Sequence, residues 1–225
     1  MARGALSSQG WDGVEPPPLP GAPRTGVYER DALHRPTRRI VITGGPAAGK
    51  SHVIQDLEPL LHGRADLIAE TATLLYENGL PRAESDDQAI LVQRAIFAVQ
   101  RGLEEVRAAL RPHPFQICDR GCLDGAAYWP AGLPDFLARI GTTHEQELHR
   151  YHAVVFLQSS ACLPGTYRNE GNTIRTEGAA EAQAIDERLR VIWSPHPRFH
   201  LVPCRASLAE KRTEALLVLK GLLQL

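Results

Sequence analysis

The chain has 225 residues, 43% of them apolar and 23% charged, with a formal net charge of −1. That length accommodates one large domain with a sizeable core. The charge balance leaves no basic footprint for nucleic acid or an anionic membrane surface. Cys118, Cys122, Cys162 and Cys204 stand apart without C-x-x-C spacing, so neither a zinc site nor a disulfide framework is indicated. No apolar run has signal-peptide or membrane-spanning form, and the expectation is a reduced, soluble, cytoplasmic protein.

Residues 1–37 contain "EPPPLPGAP" and show no apolar periodicity, so they read as a disordered, proline-rich N-terminal tail ahead of a domain at 38–225. The texture changes at Arg38. "RRIVIT" is a consecutive apolar run that predicts a strand buried on both faces. Val53, Ile54, Leu57, Leu60 and Leu61 recur at helical spacing and predict a helix from Lys50 to Leu61. "ADLIAE" predicts a second strand ending at Glu70. Ser85-x-x-Gln88 has capping-box form and opens a long helix towards Leu110. "PFQICD", "AVVFLQ" and "FHLVP" are the third, fourth and fifth strands. Ser207-x-x-Glu210 opens a last helix that turns Leu216, Leu219, Leu222 and Leu223 inward. Strands alternating with helices predict a five-stranded parallel sheet with helices on both faces, its functional groups at the carboxyl ends of the strands.

Between the first strand and its helix, Gly44-x-x-x-x-Gly49-Lys50-Ser51 matches the P-loop pattern G-x-x-x-x-G-K-[ST]. The glycines let backbone N–H groups converge on phosphate oxygens, and the helix adds its positive amino end. Lys50 is expected on the β/γ-phosphates and the Ser51 hydroxyl on Mg²⁺. Contacts to ATP or GTP are expected from Gly44, Gly45, Pro46, Ala47, Ala48, Gly49, Lys50, Ser51 and His52.

Asp119 closes the third strand, where a carboxylate approaches magnesium through water; the alternative is a helix-capping aspartate. Arg120 is either a phosphate clamp or the partner of Asp124. Glu70 is placed at the same sheet edge, either as acceptor of a substrate hydroxyl proton or as a plain surface carboxylate. Gln93 and Arg94, on the long helix, either reach the same cleft or are plain surface residues. The polar stretch from Tyr167 to Arg190 is glycine-broken and arginine-rich, the form of a mobile lid, with Arg168 and Arg175 as its working arginines. Arg188 and Arg190 read as solvated helix residues. "HEQELH" is no metal motif, because His144 and His149 lie five apart and a helix turns them about 140° from each other.

"GGPAAGKS", Glu70, "QRAIF" (Gln93 to Phe97), "DRGCLDGAAY" (Asp119 to Tyr128), "VVFLQ" and "IRTE" (Ile174 to Glu177) occur in an order that resembles the AAA_28-type P-loop family. That family is similar to the ribosylnicotinamide-kinase domain of the bacterial NAD regulator and includes eukaryotic GTP- and phosphoinositide-binding trafficking proteins. The resemblance covers residues 38–225. It implies a nucleoside-kinase-like layout with an arginine-bearing lid, rather than a ring-forming AAA+ machine. By similarity to deoxynucleoside kinases, it places Asp119 by the magnesium, Arg120 by the transferred phosphate and Glu70 as base; Gly121 stands where those kinases carry serine. Two functions follow as expectations. One is a small-molecule kinase acting on an unidentified, nucleoside-like acceptor. The other is a nucleotide-dependent binding or switch protein, possible with GTP although no N-K-x-D base-reading tetrapeptide is present.

Overall fold

The computed structural model describes residues 37–61, 63–163, 178–205 and 207–225, all within the compact unit Pro36–Leu225. The tail expected at 1–37 lies outside the described residues except for Thr37, whose hydroxyl donates to His113 O at 2.9 Å. The lid arginines Arg168 and Arg175 also lie outside them.

Five strands form one sheet: β1 (Arg38–Thr43), β2 (Ala65–Ile68), β3 (Phe115–Asp119), β4 (Ala153–Leu157) and β5 (Phe199–Val202). Their spatial order is β2-β3-β1-β4-β5 and every pairing is parallel. The helices are α1 (Lys50–Leu61), α2 (Thr71–Glu77), α3 (Asp86–Leu110), α4 (Gly132–Ile140), α5 (His144–His149), α6 (Ala179–Trp193) and α7 (Leu208–Leu223). A 3₁₀ segment, Cys122–Tyr128, follows β3.

The consecutive apolar run of β1 is explained by its two covered faces. Ile40 and Ile42 point to a core built with Val53 and Leu57 of α1 and Leu219 of α7. Val41 points the other way, into a core with Phe97 of α3, Phe136 of α4 and Trp193 of α6. All three β1 residues are fully buried, each worth roughly 2–3 kcal/mol of burial. Because β1 has β3 on one side and β4 on the other, the chain reverses its winding there, and a crevice opens at the carboxyl end of β1.

Two sequence expectations are corrected. β2 ends at Ile68, not Glu70, and Glu70 stands at the N-cap position of α2 without a side-chain capping bond. The seven residues of α2 bury only Thr71, so they carry no amphipathic signal to announce a helix. The short helix α5 does carry a signal: Thr143-x-x-Gln146 is a capping box, with Gln146 N donating to Thr143 Oγ1 and Thr143 N to Gln146 Oε1, both at 3.2 Å. At the start of α3 the reciprocal bond is displaced by one residue. Ser85 Oγ accepts from Gln88 N at 3.4 Å, while Gln88 Oε1 accepts from Glu84 N at 2.7 Å.

Candidate functional site: a braced phosphate loop beside a polar-walled cleft

The loop leaving β1 turns through three left-handed residues, Gly44 (φ +135°), Ala47 (φ +56°) and Gly49 (φ +87°). A Cβ on Gly44 would lie 2.0 Å from Leu157 O, so only glycine fits where the loop passes the end of β4. Lys50, the first residue of α1, is buried, and its ammonium donates to Gly44 O at 2.8 Å and Gly45 O at 3.2 Å. Ser51 and His52 follow in the first turn of α1 and are exposed.

The outside of the loop is held by groups from distant elements. Asp186 of α6 accepts through one oxygen from Gly45 N (2.8 Å) and Ser159 N (2.9 Å). Burial pushes the Asp186 carboxyl up, and these two backbone bonds with the Lys50 and Lys211 charges oppose the shift. Ser159 Oγ donates to Pro46 O. Lys211 of α7, also buried, donates to Ala48 O at 2.7 Å and to Gln158 O. Sequence reasoning missed Asp186 and Lys211, because nothing local marks a charged residue of a late helix as a support for an early loop.

A stability prediction follows from the glycines. Gly44→Ala combines the backbone clash with an unfavourable φ and should destabilise the fold by about 3 kcal/mol or more. Gly102 sits inside α3 with open space around it, so Gly102→Ala should instead stabilise by about 0.5–1 kcal/mol. Urea titrations of both variants check the contrast.

At the end of β3, next in the sheet to β1, stands Asp119. Its Oδ1 is buried and has no hydrogen-bond partner among the described residues. Burial, with the Glu70 charge nearby, pushes its carboxyl up to about 6 against the pull of Lys50 and Arg120. A buried carboxylate oxygen with no partner among the described residues suits a hard cation beside a phosphate loop, and Ser51 carries a hydroxyl in the first turn of α1. Among the described residues no cluster of three His, Cys, Asp or Glu could hold a metal unaided. An oxygen-only donor pair of carboxylate and hydroxyl is chemically compatible with Mg²⁺, an ion commonly bound through one or two carboxylates together with substrate phosphates.

Arg120 adopts a left-handed backbone (φ +70°), fixed by its N–H to Ile42 O (3.0 Å) and by Gln100 Nε2 donating to its carbonyl (3.3 Å). Of the two sequence alternatives, the pairing with Asp124 is present, at 3.1 Å to Oδ2, and the guanidinium also pairs with Glu70, a partner the sequence did not suggest. Asp124 also receives Thr43 Oγ1 (2.7 Å) and Trp193 Nε1 (2.8 Å), which locks it as the anchor of Arg120. Gly121 is explained by the same indole, since a Cβ there would lie 2.7 Å from two atoms of the Trp193 ring. A serine at that position would not fit.

Glu70 also accepts from Thr73 Oγ1 at 2.8 Å. Burial alone would raise its carboxyl, but the Arg120 and Lys50 charges outweigh it and hold Glu70 at about 2. A depressed carboxylate contributes stability that is present above the unfolded value of 4.5 and is lost as pH falls through the folded one. Wild type should thus exceed Glu70→Gln in stability by up to about 3 kcal/mol near neutrality. The gap should close between pH 4.5 and 2, as measured by denaturant unfolding across that range.

An open-mouthed cleft of about 140 Å³ lies beside the loop. Pro46, Glu70 and Arg120 form the end nearest the loop; α2, α3 and the 3₁₀ segment supply Tyr76, Gln93, Phe97, Gln100 and Tyr128. The Arg82 guanidinium, also in the wall, lies 4.1 Å from the Tyr76 ring centre. Gln93 is buried, and its amide makes no hydrogen bond to a described residue. Arg94 does not join it: the side chain is exposed on another face of α3, beside Leu91 and Arg139. Arg188 and Arg190 are structural, donating to Ala127 O at 2.8 Å and pairing with Glu187.

No helix of the described residues is long and apolar enough to cross a membrane. No curated protein matches the chain. The AAA_28 family, described as an AAA domain, matches residues 39–211, from the second residue of β1 into α7. That span takes in all five strands, the phosphate loop and the braces behind it, and on it the chain belongs to the AAA_28 family of P-loop nucleotide-binding domains.

Proposed function

We propose that this protein is a phosphotransferase that moves the γ-phosphate of Mg·ATP or Mg·GTP to the hydroxyl of a small, nucleoside-like acceptor. The observation that carries the reading is the cleft itself. It abuts the phosphate loop at Pro46, and the ionised pair of Glu70 and Arg120 stands at that junction. A nucleotide-dependent binding protein needs the loop but has no evident use for an open cleft at its end lined by aromatic and polar side chains.

In this reading the backbone N–H groups of the loop and Lys50 hold the phosphates, and Asp119 with Ser51 holds Mg²⁺, which neutralises charge on the transferring group when bound. The acceptor hydroxyl forms the new O–P bond, the bond between the γ-phosphorus and its bridging oxygen breaks, and the nucleoside diphosphate leaves. Glu70 accepts a hydrogen bond from that hydroxyl and takes its proton late. A carboxylate held at about 2 is a weak base towards a free alcohol. It suffices once the oxygen is bonding to phosphorus, and the loose transition state of phosphoryl transfer requires no earlier proton removal. Arg120, held by Asp124, faces the charge that spreads over the equatorial oxygens. The aromatic walls and the unpaired amide of Gln93 suit a planar acceptor with a polar edge.

Incubating the full chain with γ-labelled ATP or GTP and a panel of nucleosides and related alcohols tests the reading. Labelled acceptor supports it. Tight nucleotide binding with release of inorganic phosphate alone supports the switch instead.

A further inference from the structure

We propose that Asp186 is a positioning residue for Lys50, acting through the single peptide unit that joins Gly44 to Gly45. The inference rests on the nucleotide site and not on phosphotransfer to an acceptor. A trans peptide is planar, and its N–H and C=O point in opposite directions. Here the Gly45 N–H is committed to Asp186 Oδ1 at 2.8 Å, and the Gly44 carbonyl on the other edge of the same plane receives the Lys50 ammonium at 2.8 Å. Fixing one edge aims the other.

The peptide needs such a fixture because it lies between two glycines, which resist rotation least. The two glycines also have distinct reasons to be there. Gly44 is confined by Leu157 O, whereas a Cβ on Gly45 would lie 2.7 Å from both Cβ and Oδ1 of Asp186. The second glycine is thus the space that Asp186 occupies. The phosphate-loop pattern requires glycine at 44 and 49 but not at 45, so this contact supplies a reason the pattern does not.

Asp186 is well placed to hold the plane still. It is 5% exposed, on a helix whose Ala182, Ile185 and Leu189 are buried in the core. The same oxygen accepts from Ser159 N at 2.9 Å, and Ser159 Oγ reaches Pro46 O, so the next residue of the loop is tied to the same support. Bonds from backbone N–H groups to a carboxylate are charge-assisted and short.

The test compares full-length wild type, Asp186→Ala and Asp186→Asn. It measures Mg·ATP and Mg·GTP affinity by titration calorimetry and amide exchange at Gly45 and Ser159 by NMR. Asp186→Ala should weaken nucleotide binding at least tenfold and speed exchange of those two amides at least tenfold. Asp186→Asn keeps a carbonyl oxygen that can accept both bonds and should restore both readouts to within threefold. If Asp186→Ala does not fold, Asp186→Leu replaces it, filling the space without an acceptor, with the same expected losses. A residue that only stabilised the fold would lower the melting temperature and leave affinity alone. Unchanged affinity in the folded Ala or Leu variant, or equal losses in Asn and Ala, overturns the proposal. A wild type that binds neither nucleotide overturns the nucleotide site itself, and the exchange rates still decide whether Asp186 holds the peptide.

Discussion

Lys50→Ala should bind Mg·ATP and Mg·GTP at least a hundredfold more weakly than wild type while keeping its fold. The ammonium is buried at the head of α1 and already sits on loop carbonyls, at 2.8 Å from Gly44 O and 3.2 Å from Gly45 O. A phosphate oxygen entering the loop would replace weak neutral acceptors with a charged one. Each charge-assisted bond contributes on the order of 1.5–3 kcal/mol, and losing two of them amounts to about two to four orders of magnitude. The fold should survive because the braces from Asp186, Ser159 and Lys211 do not pass through the lysine side chain. Lys50 also holds Glu70 and Asp119 towards their ionised forms, so the variant loses charge balance at the magnesium position as well. Calorimetric titration with each nucleotide, beside a thermal melt, checks both halves.

Glu70→Gln should leave nucleotide affinity within a few-fold of wild type and cut transfer to the acceptor by roughly two to four orders of magnitude, the range for a positioned acid–base group. Glutamine keeps the length and can still accept from Thr73 Oγ1, but it cannot take a proton. It also leaves Arg120 with Asp124 as its remaining carboxylate partner, which lets the guanidinium drift from the junction of loop and cleft. Single-turnover transfer separates the effect on chemistry from that on nucleotide binding.

The phosphate loop and the strands around it were readable because their causes are local. The apolar run of β1, the glycines and the period of Val53, Ile54 and Leu57 each state their structure within a few residues, and α1 spans Lys50–Leu61 as its periodicity predicts. The cleft was only half readable. Asp119 and Arg120 follow an apolar strand, and Glu70 was placed at the right sheet edge although it stands at the N-cap position of a helix. Tyr76, Arg82 and Tyr128 come from a short helix, a loop and a 3₁₀ turn, which carry no periodic pattern. Gln93 and Arg94 part company because adjacent helical residues are about 100° apart: Gln93 points inward, and Arg94 takes the surface alternative. Asp186 is the clearest case of a long-range cause, sitting 141 residues from the glycine it supports. Gly45, a glycine the motif does not ask for, was the available hint.

The most direct test of the central claim is single-turnover transfer from γ-labelled ATP and GTP into a whole-cell metabolite extract, run with wild type and Glu70→Gln. The account predicts label in a small hydroxyl-bearing product with wild type and a loss of at least a hundredfold with Glu70→Gln at matched nucleotide occupancy. Label that appears only as inorganic phosphate, at a rate Glu70→Gln does not change, would contradict it.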